Sequence, residues 1–142
     1  MPKTNVLFLC TGNSARSQMA EALLREKAGD HFEAHSAGLE PTEVHPLAIA
    51  VMAEAGIDIS AQHSKSLMEY LGKEHFGYLI TVCDHAAANC PTFPGVANRL
   101  HWSLVDPAAA EGDHEAQVEV FRRVRDRLAG LIDEFIADQS SH

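Results

Sequence analysis

Apolar residues along the chain follow two alternating rhythms, short unbroken runs and spaced stripes. Val6 to Leu9 is a continuous apolar run of strand length, followed by the polar stretch Thr11-Gly12-Asn13-Ser14. A helical stripe of Met19, Ala20, Leu23 and Leu24 then ends near Gly29. Phe32 to Ala37 reads as a second short strand, and Ala48, Ile49, Val51, Met52 and Ala55 mark a second helix closed by Gly56. Ser66 to Leu71 fits a short helix, Tyr78 to Val82 a strongly β-prone buried strand, and Arg99 to Trp102 a weaker strand before Asp106-Pro107. Val118, Phe121, Val124, Leu128, Leu131, Ile132 and Phe135 set out a long amphipathic C-terminal helix, with Asp113 to Glu119 as its solvated start. Strands alternating with helices predict parallel βαβ units in a three-layer α/β/α sandwich.

Composition keeps this picture and narrows the partners. A chain of 142 residues, 46% apolar and 22% charged, fits one soluble globular domain over 1–142, without repeats or low-complexity tracts. Its net charge of -9 argues against nucleic acid, and any small anion it binds needs compact local donors to overcome that field. The apolar run near the N-terminus is too short for a secretory core or a spanning helix, so the expectation is a cytoplasmic protein with no membrane partner, and from its size a monomer. Three cysteines, an odd count in a reducing compartment, point to thiol chemistry or to simple burial.

The segment after the first strand carries the chemistry. Cys10-Thr11-Gly12-Asn13-Ser14-Ala15-Arg16-Ser17 puts a cysteine at a strand's C-terminal end and an arginine six positions later, where a helix begins. A short loop rich in Gly and Asn can turn successive N–H groups inward as a nest for a tetrahedral anion at the positive end of the helix dipole. Arg16 adds a bidentate fork, and the same field favours Cys10 as a thiolate. Ser17 is placed to donate its hydroxyl to the Cys10 sulfur, while Asn13 tolerates a left-handed backbone and can brace the loop with its amide. The plainer alternative is a buried Cys10 ending a core strand, with Ser14 or Ser17 capping the helix. Cys83 and Cys90 likewise read as redox thiols, as separately buried residues, or with His85 as zinc ligands, although the close paired spacing of structural zinc sites is missing. Asp106 before Pro107 reads as an acid or as a turn former.

Cys10 to Ser17 resembles the signature of low-molecular-weight tyrosine phosphatases and of arsenate reductases built on the same fold. Val6 to Glu21, Ser36-Ala37-Gly38, Gly56 to Ser60, Val82 to Pro91 and His101-Trp102 with Asp106-Pro107 are similar to the thioredoxin-coupled arsenate reductase family. The resemblance implies a four-stranded parallel sheet and a loop, Thr11 to Arg16, that holds the oxyanion. It also implies a relay: Cys10 attacks arsenic, Cys83 attacks Cys10 and releases arsenite, and Cys90 attacks Cys83 for recycling by thioredoxin. Asp106 protonates the departing oxygen. The donor stays open between thioredoxin, glutaredoxin and mycothiol, and no cofactor is implied. Relatives often have a second cysteine where Ala15 stands.

Some family members bind potassium through residues matching Asn13, Glu21 and Ser36 and an acidic residue at position 65. Lys65 stands there in this chain, which speaks against the ion and suggests an ammonium paired with Glu21. A phosphatase is the second reading, weakened because Ala108-Ala109-Ala110 follows Asp106-Pro107 in place of tyrosines, and an oxyanion-binding redox sensor is the third. Asp84 to Asn89 has an acidic first turn and an alanine run, so the segment between Cys83 and Cys90 is expected to be helical when reduced. A helix separates those Cα atoms by about 10 Å at about 1.5 Å per residue. A disulfide needs about 4.4 to 6.8 Å. The segment is therefore expected to unwind or loop out on oxidation, with Pro91 and Pro94-Gly95 discouraging further helix.

Overall fold

In a computed structural model the described residues are 3–70, 74–90 and 95–140. Four parallel strands, β1 (Thr4–Cys10), β2 (Phe32–Gly38), β3 (Phe76–Thr81) and β4 (Val96–His101), form one sheet in the order β2-β1-β3-β4. Four helices, α1 (Arg16–Ala28), α2 (Pro46–Glu54), α3 (Asp84–Asn89) and α4 (His114–Ser140), complete the α/β fold. Val6, Leu7, Phe8 and Leu9 are all fully buried, so both faces of the central strand β1 are covered, as a parallel sheet requires.

The apolar stripe of α4 brings an aromatic ring onto the sheet. Phe135 sits among Phe32 of β2, Tyr78 of β3 and Trp102 beyond β4, at ring distances of 5.4, 4.9 and 6.3 Å, and Trp102 in turn meets Phe8 at 5.9 Å. The Tyr78 hydroxyl donates to the Gln139 side chain, tying the end of α4 to the sheet. Trp102 is therefore a half-buried residue packed against the core.

Differences from the sequence expectation lie at element ends. β4 begins at Val96 rather than Arg99: its edge position leaves Ala97 to His101 exposed, so little apolar pattern marks it. α2 begins at Pro46, a favoured first position, because the His45 ring accepts the Leu47 N–H as a cap. Ser66 and Glu69 form a reciprocal capping box around a 3₁₀ turn over Leu67–Glu69. The expected helix end at Leu71, and Pro91 and Pro94, lie outside the described residues. Among the described residues no helix is long and apolar enough to cross a membrane.

All strands point the same way, so Cys10, Cys83 and the segment leading to Asp106 meet at one sheet edge. β1 lies between β2 and β3, and the chain turns to opposite sides of it, the topological switch point where such sheets open a crevice. Phe135→Ala empties the centre of the aromatic cluster and should lower unfolding stability by about 3–5 kcal/mol, read from urea denaturation.

Candidate active site

The loop from Cys10 to Arg16 is shaped by where its carbonyls go. Cys10 O accepts from Leu39 N, Thr11 O from Glu40 N, Gly12 O from Thr42 N and Ser14 O from His45 N, at 2.8 to 3.2 Å. Asn13 O accepts from Gln18 Nε2 at 3.0 Å and Ser64 Oγ at 2.8 Å. With every carbonyl from Cys10 to Ser14 turned outward and satisfied, the loop N–H groups are left to face inward. Asn13 takes a left-handed φ of 49°, which its short polar side chain tolerates.

The Cys10 sulfur lies inside this ring. It accepts the Asn13 N–H at 3.1 Å and is 2.8 Å from Ser17 Oγ. Asn13 Nδ2 donates to that same hydroxyl oxygen at 2.8 Å, which leaves the Ser17 proton to point at the sulfur. Two donors aimed at one sulfur suit a thiolate. Ala15 precedes α1 with no side-chain cap hydrogen bond, so neither Ser14 nor Ser17 caps the helix. The first N–H groups of α1 stay open to an anion.

Three further groups gather at the rim. Arg16, with 13% of its side chain exposed, donates Nη1 to Leu104 O at 3.1 Å and holds Nη2 3.8 Å from Asp106 Oδ1. Asp106 caps the short turn Pro107–Ala109 through the Ala108 N–H at 3.0 Å, so it is both turn former and Arg16 neighbour. Cys83 Sγ is buried, 3.4 Å from Thr11 Oγ1, and accepts the Ala86 N–H as the cap of α3. Cys90 follows at the other end of that helix, half-buried. Burial pushes its thiol above the ordinary range, and Arg99 of β4, by charge and hydrogen bond, pulls it only part of the way back.

Behind the loop runs a buried polar network. Asn13 Oδ1 accepts from Gln18 Nε2 at 2.9 Å and from Lys65 N at 2.8 Å, and Gln62 Nε2 donates to Gln18 Oε1 at 2.7 Å. Glu21 is buried; Ser36 Oγ donates to its Oε1 at 2.9 Å and Arg25 to its Oε2 at 2.9 Å. Lys65 Nζ stands 3.6 Å from Glu21 Oε1, 3.5 Å from Ser36 Oγ and 3.0 Å from His63 O. Of the residues matched to a potassium site, Glu21 and Ser36 already face the Lys65 ammonium, and Asn13 Oδ1 is taken by Gln18 and the Lys65 N–H, so the residues present do not fit the ion.

Sequence reasoning missed Gln18, Gln62, Ser64 and Gly38. A polar Gln18 on the buried face of α1 was a usable signal; the others act through contacts far along the chain. At Gly38 a Cβ would come within 2.7 Å of Thr11 O and 2.8 Å of Asn13 N, so only glycine lets β2 close against the loop.

The profile of low molecular weight phosphotyrosine protein phosphatases matches residues 5–141. The chain is 46% identical to the arsenate reductase of Halalkalibacterium halodurans over 136 residues, 95% of this chain and 96% of that one. The chain belongs to the arsenate reductases of the low molecular weight phosphatase family. Among solved structures, an arsenate reductase in the phosphate-binding state superposes with a TM-score of 0.80 at 34% identity, covering 95% of this chain and 98% of that one. A thioredoxin-dependent arsenate reductase of Corynebacterium glutamicum superposes with a TM-score of 0.70 at 32% identity, covering 99% of this chain and 64% of that one. Gly38→Ala should open the ring: if the cradle takes a tetrahedral anion, phosphate should raise the Tm of the wild type in thermal unfolding, and that rise should be lost in the variant.

Proposed function

We propose that this enzyme reduces arsenate to arsenite by passing two electrons through Cys10, Cys83 and Cys90. The N–H groups of the loop and the Arg16 fork hold arsenate with arsenic over the Cys10 sulfur. Cys10 attacks arsenic, and Asp106, beside Arg16 at the rim, protonates the leaving oxygen, which departs as water. Cys83 then attacks the Cys10 sulfur. The Cys10–Cys83 bond forms, the arsenic–sulfur pair of electrons stays on arsenic, and arsenite leaves. Exchange with Cys90 moves the disulfide outward, where an external dithiol reduces it.

The observation that carries this reading is the second thiol at the rim: Cys83 Sγ lies against Thr11 of the Cys10 loop, with Cys90 at the far end of a short helix. Hydrolysis of a phosphomonoester needs Cys10, Arg16 and Asp106 but neither of those thiols. Thioredoxin is the dithiol this reading takes, which sets the enzyme in a reducing, cytoplasmic environment.

Mass spectrometry after one arsenate turnover should find Cys83 linked to Cys90 in the wild type and Cys10 linked to Cys83 in Cys90→Ser. Absence of arsenite from the wild type would overturn the proposal. Phosphatase activity that persists without Cys83 and Cys90, with no arsenite formed, would instead favour the phosphatase reading.

Lys65 acts in this scheme as a tethered cation for Glu21. Replacing sodium by potassium at constant ionic strength should leave the wild-type kcat/KM and Tm unchanged, whereas Lys65→Asp should lower the Tm and recover part of it in potassium. A potassium-specific rise in the wild type would count against it.

A further inference from the structure

The relay needs one thiol to travel, because a helix holds Cys83 and Cys90 about 10 Å apart at about 1.5 Å per residue. The start of α3 is tied to the end of β4 and the segment beyond it. At its start, Asp84 Oδ1 receives His101 Nε2 at 2.9 Å and Ser103 Oγ at 3.1 Å, from the end of β4 and the segment beyond it. On the other side of the ring, His101 Nδ1 lies 2.7 Å from the Thr81 hydroxyl oxygen. Thr81 ends β3, and the N–H of the next residue, Val82, bonds to Leu9 O of β1 at 2.9 Å. The residues on both sides of Cys83 are thus pinned to the sheet. His101 and then Ser103 hold the Asp84 carboxyl below the usual carboxylate range. At the other end Asn89 bonds back to His85 O within the helix, and Arg99 of β4 acts on the Cys90 thiol by charge and hydrogen bond.

We infer that Asp84, His101 and Ser103 are positioning residues that hold Cys83 beside the Cys10 loop for its attack on the Cys10 sulfur. This rests on the relay proposed above. The helix also has a built-in release. The Cys83 sulfur is its cap, accepting the Ala86 N–H at 3.3 Å, and a sulfur drawn into a disulfide with Cys10 gives up that acceptor role. Forming the first disulfide therefore loosens α3 while the clasp keeps its first residue in place. The Cys90 thiolate, its proton lost to solvent, then attacks the Cys83 sulfur. The Cys83–Cys90 bond forms, the Cys10–Cys83 bond breaks, Cys10 leaves as a thiolate, and no net electrons move.

The test uses the full chain carrying Cys90→Ser, which traps the first disulfide. Reduced protein is mixed with arsenate, quenched in acid, alkylated and analysed by mass spectrometry. Adding Asp84→Ala should slow Cys10–Cys83 formation roughly 10- to 100-fold without changing the arsenate concentration that gives half the maximal rate, because the thiol is displaced while the anion site is untouched. Asp84→Asn keeps an oxygen for His101 and Ser103 and should restore the rate to within a few-fold. His101→Phe should repeat the loss and serves if Asp84→Ala does not fold. A wild-type rate in Asp84→Ala or His101→Phe, or an Asp84→Asn as slow as Asp84→Ala, overturns the inference. If the Cys90→Ser parent itself forms no Cys10–Cys83 bond, the relay fails with it.

Discussion

Where the loop carbonyls point decides the rest of this molecule. A backbone that must gather N–H groups around one sulfur has to send its carbonyls the other way, and a buried carbonyl without a donor is costly. The chain meets this with the segment from Leu39 to His45, which runs alongside and donates from Leu39, Glu40, Thr42 and His45, while Gln18 and Ser64 close the gap at Asn13. The left-handed residue, the missing cap on α1 and the close approach of Gly38 all follow from that orientation.

A parallel sheet then brings the other thiol to the same place. Because β1 and β3 are neighbours and run in the same direction, Cys10 and Cys83 emerge side by side although they are far apart in sequence. The six-residue helix α3 sets the distance to Cys90, and burial pushes that thiol above the ordinary range. Position and protonation are thus assigned separately, the first by strand order and the second by local environment.

Much of this is legible in the sequence, because strand and loop are both local signals. Val6 to Leu9 and Tyr78 to Val82 announce buried strands by composition alone, and the spacing from Cys10 to Arg16 and Ser17 marks the cradle. The edge strand β4 is shortened in such a reading because Ala97 and Asn98, exposed at the sheet edge, set no apolar pattern ahead of Arg99. Gln62 and Ser64 are invisible for another reason: each matters only through a contact with the loop, or with Gln18 behind it, made after the chain has folded, and nothing in its own neighbourhood records that contact. His45 escapes notice because histidine is an uncommon helix cap.

The ammonium of Lys65 beside Glu21 has a consequence for where such a protein can work. A counter-ion joined to the backbone is present at an effective concentration that no dilution, osmotic shift or change of salt outside the molecule can alter. Charge balance behind the catalytic loop is then inherited with the gene rather than borrowed from the medium.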